Sequence, residues 1–406
     1  MAKHKWNFKS RFRRAAYGWK GTALAAKRMK EAVSEIKKVA KNDLSLAGEG
    51  VVELFCRLYP AVMQIDGSSG AIGTALHRTV DQLTPILIQA DWDMNSRGKW
   101  LQKLYEAIQE DGWGVFDSLR DRWGDLCVYS GLAHLWADEL ISTVRDIWSS
   151  PEFSIFPGTD MCLSCLLYTE RYAELYALIQ LDRTQFWHHI KFWPMALIKQ
   201  GNPQEALDYV AQIRSQQGVN NEEPEMDAFC EATLIKMGHI EEAYQQYGLK
   251  LPSYGTYLNI YRSLCKRYPS LDKRRILIDC MDKTGSKGKW FAAAKNAGFL
   301  DIALSCAKSR DGDPNTLLRA TRDYAEKDAE FAVSVGIEAI MIFLTADFYD
   351  PITSMDIKQA YNQVAKVAEK AAIDSQFSAG LSRRVLKESN KIKPALKNVI
   401  MNRFRT

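Results

Sequence analysis

The 406-residue sequence holds eight cysteines and six histidines, and two of each stand close enough together to suggest chemistry. Cys162-Leu-Ser-Cys165 has the spacing of a metal knuckle, and His188 and His189 follow 23 residues later. Zinc takes four ligands in near-tetrahedral geometry, commonly from C-x2-4-C joined to H-x3-5-H or to a second cysteine pair. Adjacent histidines do not offer that spacing, and the cysteine pair lies in an apolar, helix-like run. The thiols are therefore expected to be buried and reduced. No metal ligand set and no cofactor is assigned, and a redox or metal role for Cys162 and Cys165 stays open.

Two loops invite comparison with phosphate sites. Asp66-Gly67-Ser68-Ser69-Gly70-Ala71-Ile72-Gly73 places hydroxyls and glycines before a helix, where free N–H groups attract anions, so Ser68, Ser69 and Gly70 are candidate anion contacts. The alternative is a capped turn, because the G-x-G-x-x-G fingerprint, a preceding strand and a P-loop Lys-Ser/Thr are all missing. Lys283-Thr-Gly-Ser-Lys-Gly-Lys289 fails the P-loop pattern at Lys283 and at Trp290, and reads as a solvated basic turn. Asp117, Asp121 and Asp125 lie at helical spacing that any solvated face would show. With no G-x-S-x-G or H-E-x-x-H, no catalytic residue is assigned and the protein is expected not to be an enzyme.

The arm near the N-terminus is richer. It interleaves Trp6, Phe8, Phe12, Tyr17 and Trp19 with Lys3, Lys5, Lys9, Arg11, Arg13, Arg14 and Lys20. Cations neutralise phosphates and aromatic faces stack on unpaired bases. Lys5, Trp6, Lys9, Arg11, Arg13, Arg14, Trp19 and Lys20 are thus candidate nucleic-acid contacts. The competing reading docks the aromatics on the body of the protein and pairs the cations with its carboxylates.

Helices must position all of these. Ala25, Met29, Ala32, Val33, Ile36 and Ala40 follow a helical period while Lys27, Lys30, Lys37, Lys38 and Lys41 take the other face. Further helices read at 46–63, 71–90, 97–110, 116–126 and 132–148, and the Ser149-Ser150-Pro151 break followed by Phe156-Pro157-Gly158 marks a boundary. Beyond it three segments align: Ala196 to Gly201 with Ala206, Thr233 to Gly238 with Ala243, and Ala293 to Gly298 with Ala303. Each is an apolar helix, a glycine C-cap and a second helix with a small residue five positions after the glycine. Cys165 to Leu175 reads as a degenerate copy lacking the glycine. The glycines lie 37 and then 60 residues apart, the irregular mark of tetratricopeptide-like hairpins. More helices read at 317–324, 331–345, 354–372 and 378–387, with a last basic one from Pro394.

Composition agrees. The chain is 47% hydrophobic and 25% charged, poor in glycine (24) and proline (12), which excludes wholesale disorder and favours helix. The overall charge of +5 hides an asymmetry: residues 1–41 carry +11 and residues 383–406 carry +7, leaving −13 between them. Such ends steer anionic partners or fold back on the acidic body. No secretory signal is expected, because the first thirty residues hold no continuous apolar stretch. The most apolar window, Ile337 to Leu344, is far short of the roughly 20 residues a bilayer needs, so no membrane span is expected. Scattered cysteines in a chain of this size point to a cytoplasmic protein.

The runs Ile65-Asp-Gly-Ser-Ser-Gly-Ala-Ile-Gly73, Trp123-Gly-Asp-Leu-Cys127 and Gly288-Lys-Trp-Phe-Ala-Ala-Ala-Lys295 resemble those of a family of uncharacterised bacterial helical-repeat proteins, some of whose relatives carry a SWIM-type zinc-finger module. That module is absent here. The resemblance implies a helical-repeat fold and a bacterial cytosol, and brings no catalytic residue. The expected fold is all-α: a basic arm and amphipathic helix (1–41), a helical N-terminal domain (42–150), an irregular tetratricopeptide-like α-solenoid (151–345) and C-terminal capping helices with a basic tail (346–406). The expected function is non-catalytic binding or scaffolding, with a protein or peptide partner in the repeat groove; the alternative is nucleic-acid binding by the two basic ends.

Overall fold

The structure, a computed structural model, describes residues 4–152, 154–215, 223–345 and 352–392. The basic helix expected from Pro394 lies outside them. The described residues form helices and turns with no strand, and the chain divides into two compact units, Met1–Thr233 and Leu234–Thr406. The break at residues 149–157 falls inside the first unit.

In the first unit, helix Thr22–Ala40 buries Ala25, Met29, Ala32, Val33 and Ile36 and packs on helices Leu44–Val62 and Ala71–Gln89. The arm closes the end of Leu44–Val62. A helix leaves its last four carbonyls without intrahelical donors. Here Met63 and Ile65 take those of Tyr59 and Val62, while Ala15 N–H (2.7 Å) and Tyr17 N–H (3.3 Å) from the arm take those of Pro60 and Ala61. Trp6, Phe8, Phe12 and Tyr17 are all buried, so the arm is part of the core.

Arg97, only 1% exposed, sits at the centre of this unit. Its guanidinium donates to the carbonyls of Leu87 and Leu126, each at 3.0 Å, and to that of Ala90, and lies over the Trp92 ring. Leu87 and Ala90 end helix Ala71–Gln89, where the negative end of the helix dipole favours a cation. Helix Gly158–Tyr168 is buried at every position from Gly158 to Leu167. Cys162 and Cys165 lie inside it as fully buried free thiols, and burial pushes Cys162 up to about 12.

The glycine caps share one geometry. Gly201, Gly238 and Gly298 have φ of +86°, +85° and +82°, and in each case the following N–H reaches the carbonyl five residues back: Asn202 to Leu197, His239 to Leu234 and Phe299 to Ala294. This is the Schellman arrangement. Two further copies do without glycine. Glu170 (φ +59°) and Ala372 (φ +56°) occupy the same left-handed position, with Arg171 bonded to Leu166 and Ile373 to Ala368. The residue five positions on is buried in all five: Leu175, Ala206, Ala243, Ala303 and Phe377.

In the second unit, helix Ala329–Thr345 is buried almost all round. It carries one buried acid, Glu338, which is 2% exposed. Its Oε2 faces Arg310 Nε at 3.3 Å and its Oε1 accepts from Arg384 at 2.6 Å, and Arg310 also reaches Glu388. Helices Ser354–Lys370 and Asp374–Lys387 bring Val364, Phe377, Leu381 and Val385 against this core.

Candidate functional site

Residues 150–152 and 154–157 form one wall of a cavity of about 430 Å³ in the first unit. Ile147 and Trp148 from helix Ser130–Ser149, then Ile155, Phe156 and Pro157, supply apolar surface; Arg120, Asp160, Asp182, Arg183, His188 and His189 supply polar groups. Gly158 lets helix Gly158–Tyr168 start beneath this wall, since a Cβ there would lie 2.4 Å from the Phe156 ring.

Asp160 stands in the first turn of that helix, where the dipole favours its charge. It is 5% exposed. Its Oδ2 lies 3.2 Å from Arg120 Nε, and its Oδ1 is buried without a hydrogen-bond partner. Opposite, the short helix Trp187–Ile190 carries His188 and His189. Asp182, whose side chain is fully buried, accepts from the Thr184 N–H (2.9 Å) and hydroxyl (2.6 Å) on one oxygen and meets His189 Nδ1 at 3.0 Å on the other. Burial pushes the Asp182 carboxyl up, but the hydrogen bonds from His189 and Thr184 outweigh it and hold the group below its ordinary range. With Nδ1 engaged, His189 turns Nε2 to Asp160 Oδ1 at 3.8 Å. The His188 and His189 ring centroids are 4.0 Å apart. Among the described residues, Asp160, His188 and His189 form the one group of three able to converge on a metal ion, with donor atoms within 4.8 Å of one another.

Spacing logic set the two histidines against the cysteine pair. The structure joins them instead to Asp160, 28 residues before His188, and to Asp182. A lone charged residue, Asp160, in a largely apolar helix was the signal that could have found the site, because a buried charge must be met by something. The three aspartates read as a solvated face each hold a cation: Asp117 pairs with Arg120 (2.7 Å), Asp121 with Lys191 (2.5 Å) and Asp125 with Arg122 (3.5 Å).

The other candidates are placed as follows. In the arm, Trp19 is 67% exposed while Trp6 is buried. Lys9 pairs with Glu53 (2.8 Å) and Arg11 with Glu31 (2.5 Å); Arg13 Nε donates to the Ser10 carbonyl; Lys5, Arg14 and Lys20 are exposed. Ser68, Ser69 and Gly70 form a turn that Asp66 already caps, its carboxylate accepting the Ser68 N–H at 3.0 Å. In the basic turn after Lys283, Gly288 N–H donates to Asp311 at 2.7 Å, so both loops already hold a carboxylate where an anion would sit.

A second concavity, about 470 Å³, lies in the first unit among helices Tyr172–Ile179, Phe192–Lys199 and Pro203–Ser215. Tyr176 and Trp193 meet there with ring centroids 4.5 Å apart, beside Tyr209, Glu205 and Asp208. Tyr176 is 42% exposed, and burial raises Tyr209 to about 12.

No family model matches the chain, and neither the curated proteins nor the solved structures contain a match to it. Among the described residues, no helix is long and apolar enough to cross a membrane.

Proposed function

We propose that the protein is a non-catalytic binding protein that takes a peptide segment of a protein partner, with Tyr176, Trp193 and Tyr209 as the anchor site. The observation that carries this reading is the aromatic cleft: three rings and two carboxylates at the junction of three helices. Tyrosine and tryptophan present large, rigid contact area and dominate binding hot spots, and Glu205 and Asp208 suit a lysine or arginine on the incoming chain. The shared cap geometry supports an irregular tetratricopeptide-like hairpin array, an architecture that presents such clefts between hairpins. Eight free cysteines suit a cytoplasmic setting. Selection of a displayed peptide library on the protein tests the reading. The expected result is enrichment of basic peptides with an aromatic or aliphatic anchor, bound at least about tenfold more weakly by Tyr176→Ala. No peptide enriched on the unaltered protein over that variant would sink it.

A second reading, nucleic-acid binding, is favoured by the exposed Trp19 next to exposed Lys20 and close in sequence to Arg13 and Arg14. Four arm aromatics are buried, so stacking in this stretch would fall to Trp19. Fluorescence anisotropy with single-stranded oligonucleotide across a salt series, with and without Trp19→Ala, tests it.

A further inference from the structure

We propose that Asp160, His188 and His189 hold a divalent first-row transition-metal ion at the floor of the 430 Å³ cavity, with coordination positions left open toward its apolar walls. Asp182 meets His189 Nδ1 at 3.0 Å, which turns Nε2 toward Asp160 Oδ1, 3.8 Å away. That oxygen is itself a buried acceptor with no donor. A buried carboxylate oxygen left without a donor beside a ring nitrogen calls for a positive charge. Arg120 does not supply it, because its Nε lies on the other oxygen, Oδ2.

Charge points the same way. The cavity lining sets Glu152, Asp160 and Asp182 against Arg120 and Arg183, and Arg120 is shared with Asp117, so carboxylates outnumber guanidiniums. A tetrahedral ion bonded at about 2.0–2.1 Å holds its donors about 3.3 Å apart. The three donors lie within 4.8 Å of one another. Two imidazoles with one carboxylate select zinc, iron or cobalt over magnesium and calcium. Asp182 completes the pattern as the outer carboxylate that fixes the ring of a ligating histidine. Three protein ligands mark an open site, in contrast to the four of a structural zinc.

This inference does not rest on the peptide cleft, and the test reads neither peptide nor nucleic acid. Cobalt(II) is titrated into the full-length, chelator-treated protein, with d–d absorption in the visible as readout and zinc displacement as the second measurement. One equivalent is expected to bind. Asp160→Ala, His188→Ala and His189→Ala should each weaken binding at least about tenfold, Asp182→Asn should weaken it about 10- to 100-fold by releasing the His189 ring, and Cys162→Ser should leave it unchanged. Far-ultraviolet circular dichroism identifies any variant that fails to fold, for which His189→Gln is substituted. Absence of saturable cobalt binding, or binding indifferent to both histidine variants, overturns the proposal.

Discussion

Asp160 in the first unit and Glu338 in the second are both buried carboxylates on largely buried helices, and both lie beside arginine. Glu338 has a guanidinium on each oxygen, Arg310 on Oε2 and Arg384 on Oε1. Asp160 has Arg120 near one oxygen and nothing bonded to the other. The two Glu338 arginines come from different segments, one before helix Ala329–Thr345 and one in helix Asp374–Lys387, so the pair ties the packing of the unit together. Asp160 instead faces a cavity. A buried charge whose hydrogen-bonding capacity is filled from within the chain serves the fold, whereas one left half-filled at a cavity wall is available to something else.

The largest effect expected from this contrast is on stability. Glu338→Ala leaves Arg384 without its carboxylate while Arg310 keeps Glu388, and should cost about 3 kcal/mol in urea unfolding. Asp160→Ala in metal-free protein should cost well under half of that, because Arg120 keeps Asp117. Equal losses would break the comparison. Next in size, zinc at about 100 times its dissociation constant should raise the unfolding free energy of the unaltered protein by about 2.7 kcal/mol. At the same zinc concentration a site weakened at least about tenfold should raise Asp160→Ala by no more than about 1.4 kcal/mol; an equal rise in both would remove the distinction between the carboxylates.

Glu53 offers an intermediate case at the docked arm. Burial pushes its carboxyl up, but hydrogen bonds from Lys9 and Lys103 prevail and bring it down to about 2. A folded value below the unfolded one, about 4.3, means its contribution is complete above roughly pH 4.5 and lost as pH falls toward about 2. Glu53→Gln should therefore flatten that part of an acid-unfolding curve followed by tryptophan fluorescence. An unchanged curve would show that the pairing of Glu53 with Lys9 and Lys103 contributes nothing to stability. The smallest effect concerns backbone. Glu170 sits at φ +59° in a position glycine occupies without strain, so Glu170→Gly should stabilise by about 0.5–1 kcal/mol in urea unfolding.

Where a pattern is local, the chain is readable. The spacing of Ala25, Met29, Val33 and Ile36 indicates a helix and its buried face, and Gly201, Gly238 and Gly298 mark three helix ends with the φ those ends require. Glu170 and Ala372 perform the same task without the residue type that announces it, so these caps are invisible to inspection by residue. The site was harder for a different reason. His189 acquires meaning from Asp160 and Asp182, which approach it only when helix Gly158–Tyr168 is set against the turn before Trp187. No spacing rule encodes that approach. The arm shows the converse: its aromatics and cations are conspicuous in the sequence, yet Trp6, Phe8, Phe12 and Tyr17 are consumed by the core.

The three carbonyls around Arg97 belong to Leu87, Ala90 and Leu126, and this has a consequence for how the chain folds as it is made. Until Leu126 has left the ribosome the guanidinium lacks one of the acceptors that make its dehydration tolerable. The helices before it can form earlier, but their closure around Arg97 waits for some thirty residues of later synthesis, during which the apolar faces of Leu44–Val62 and Ala71–Gln89 are not yet sealed. At about 5–20 residues per second that interval lasts about 1.5–6 seconds, long enough for a chaperone to engage them.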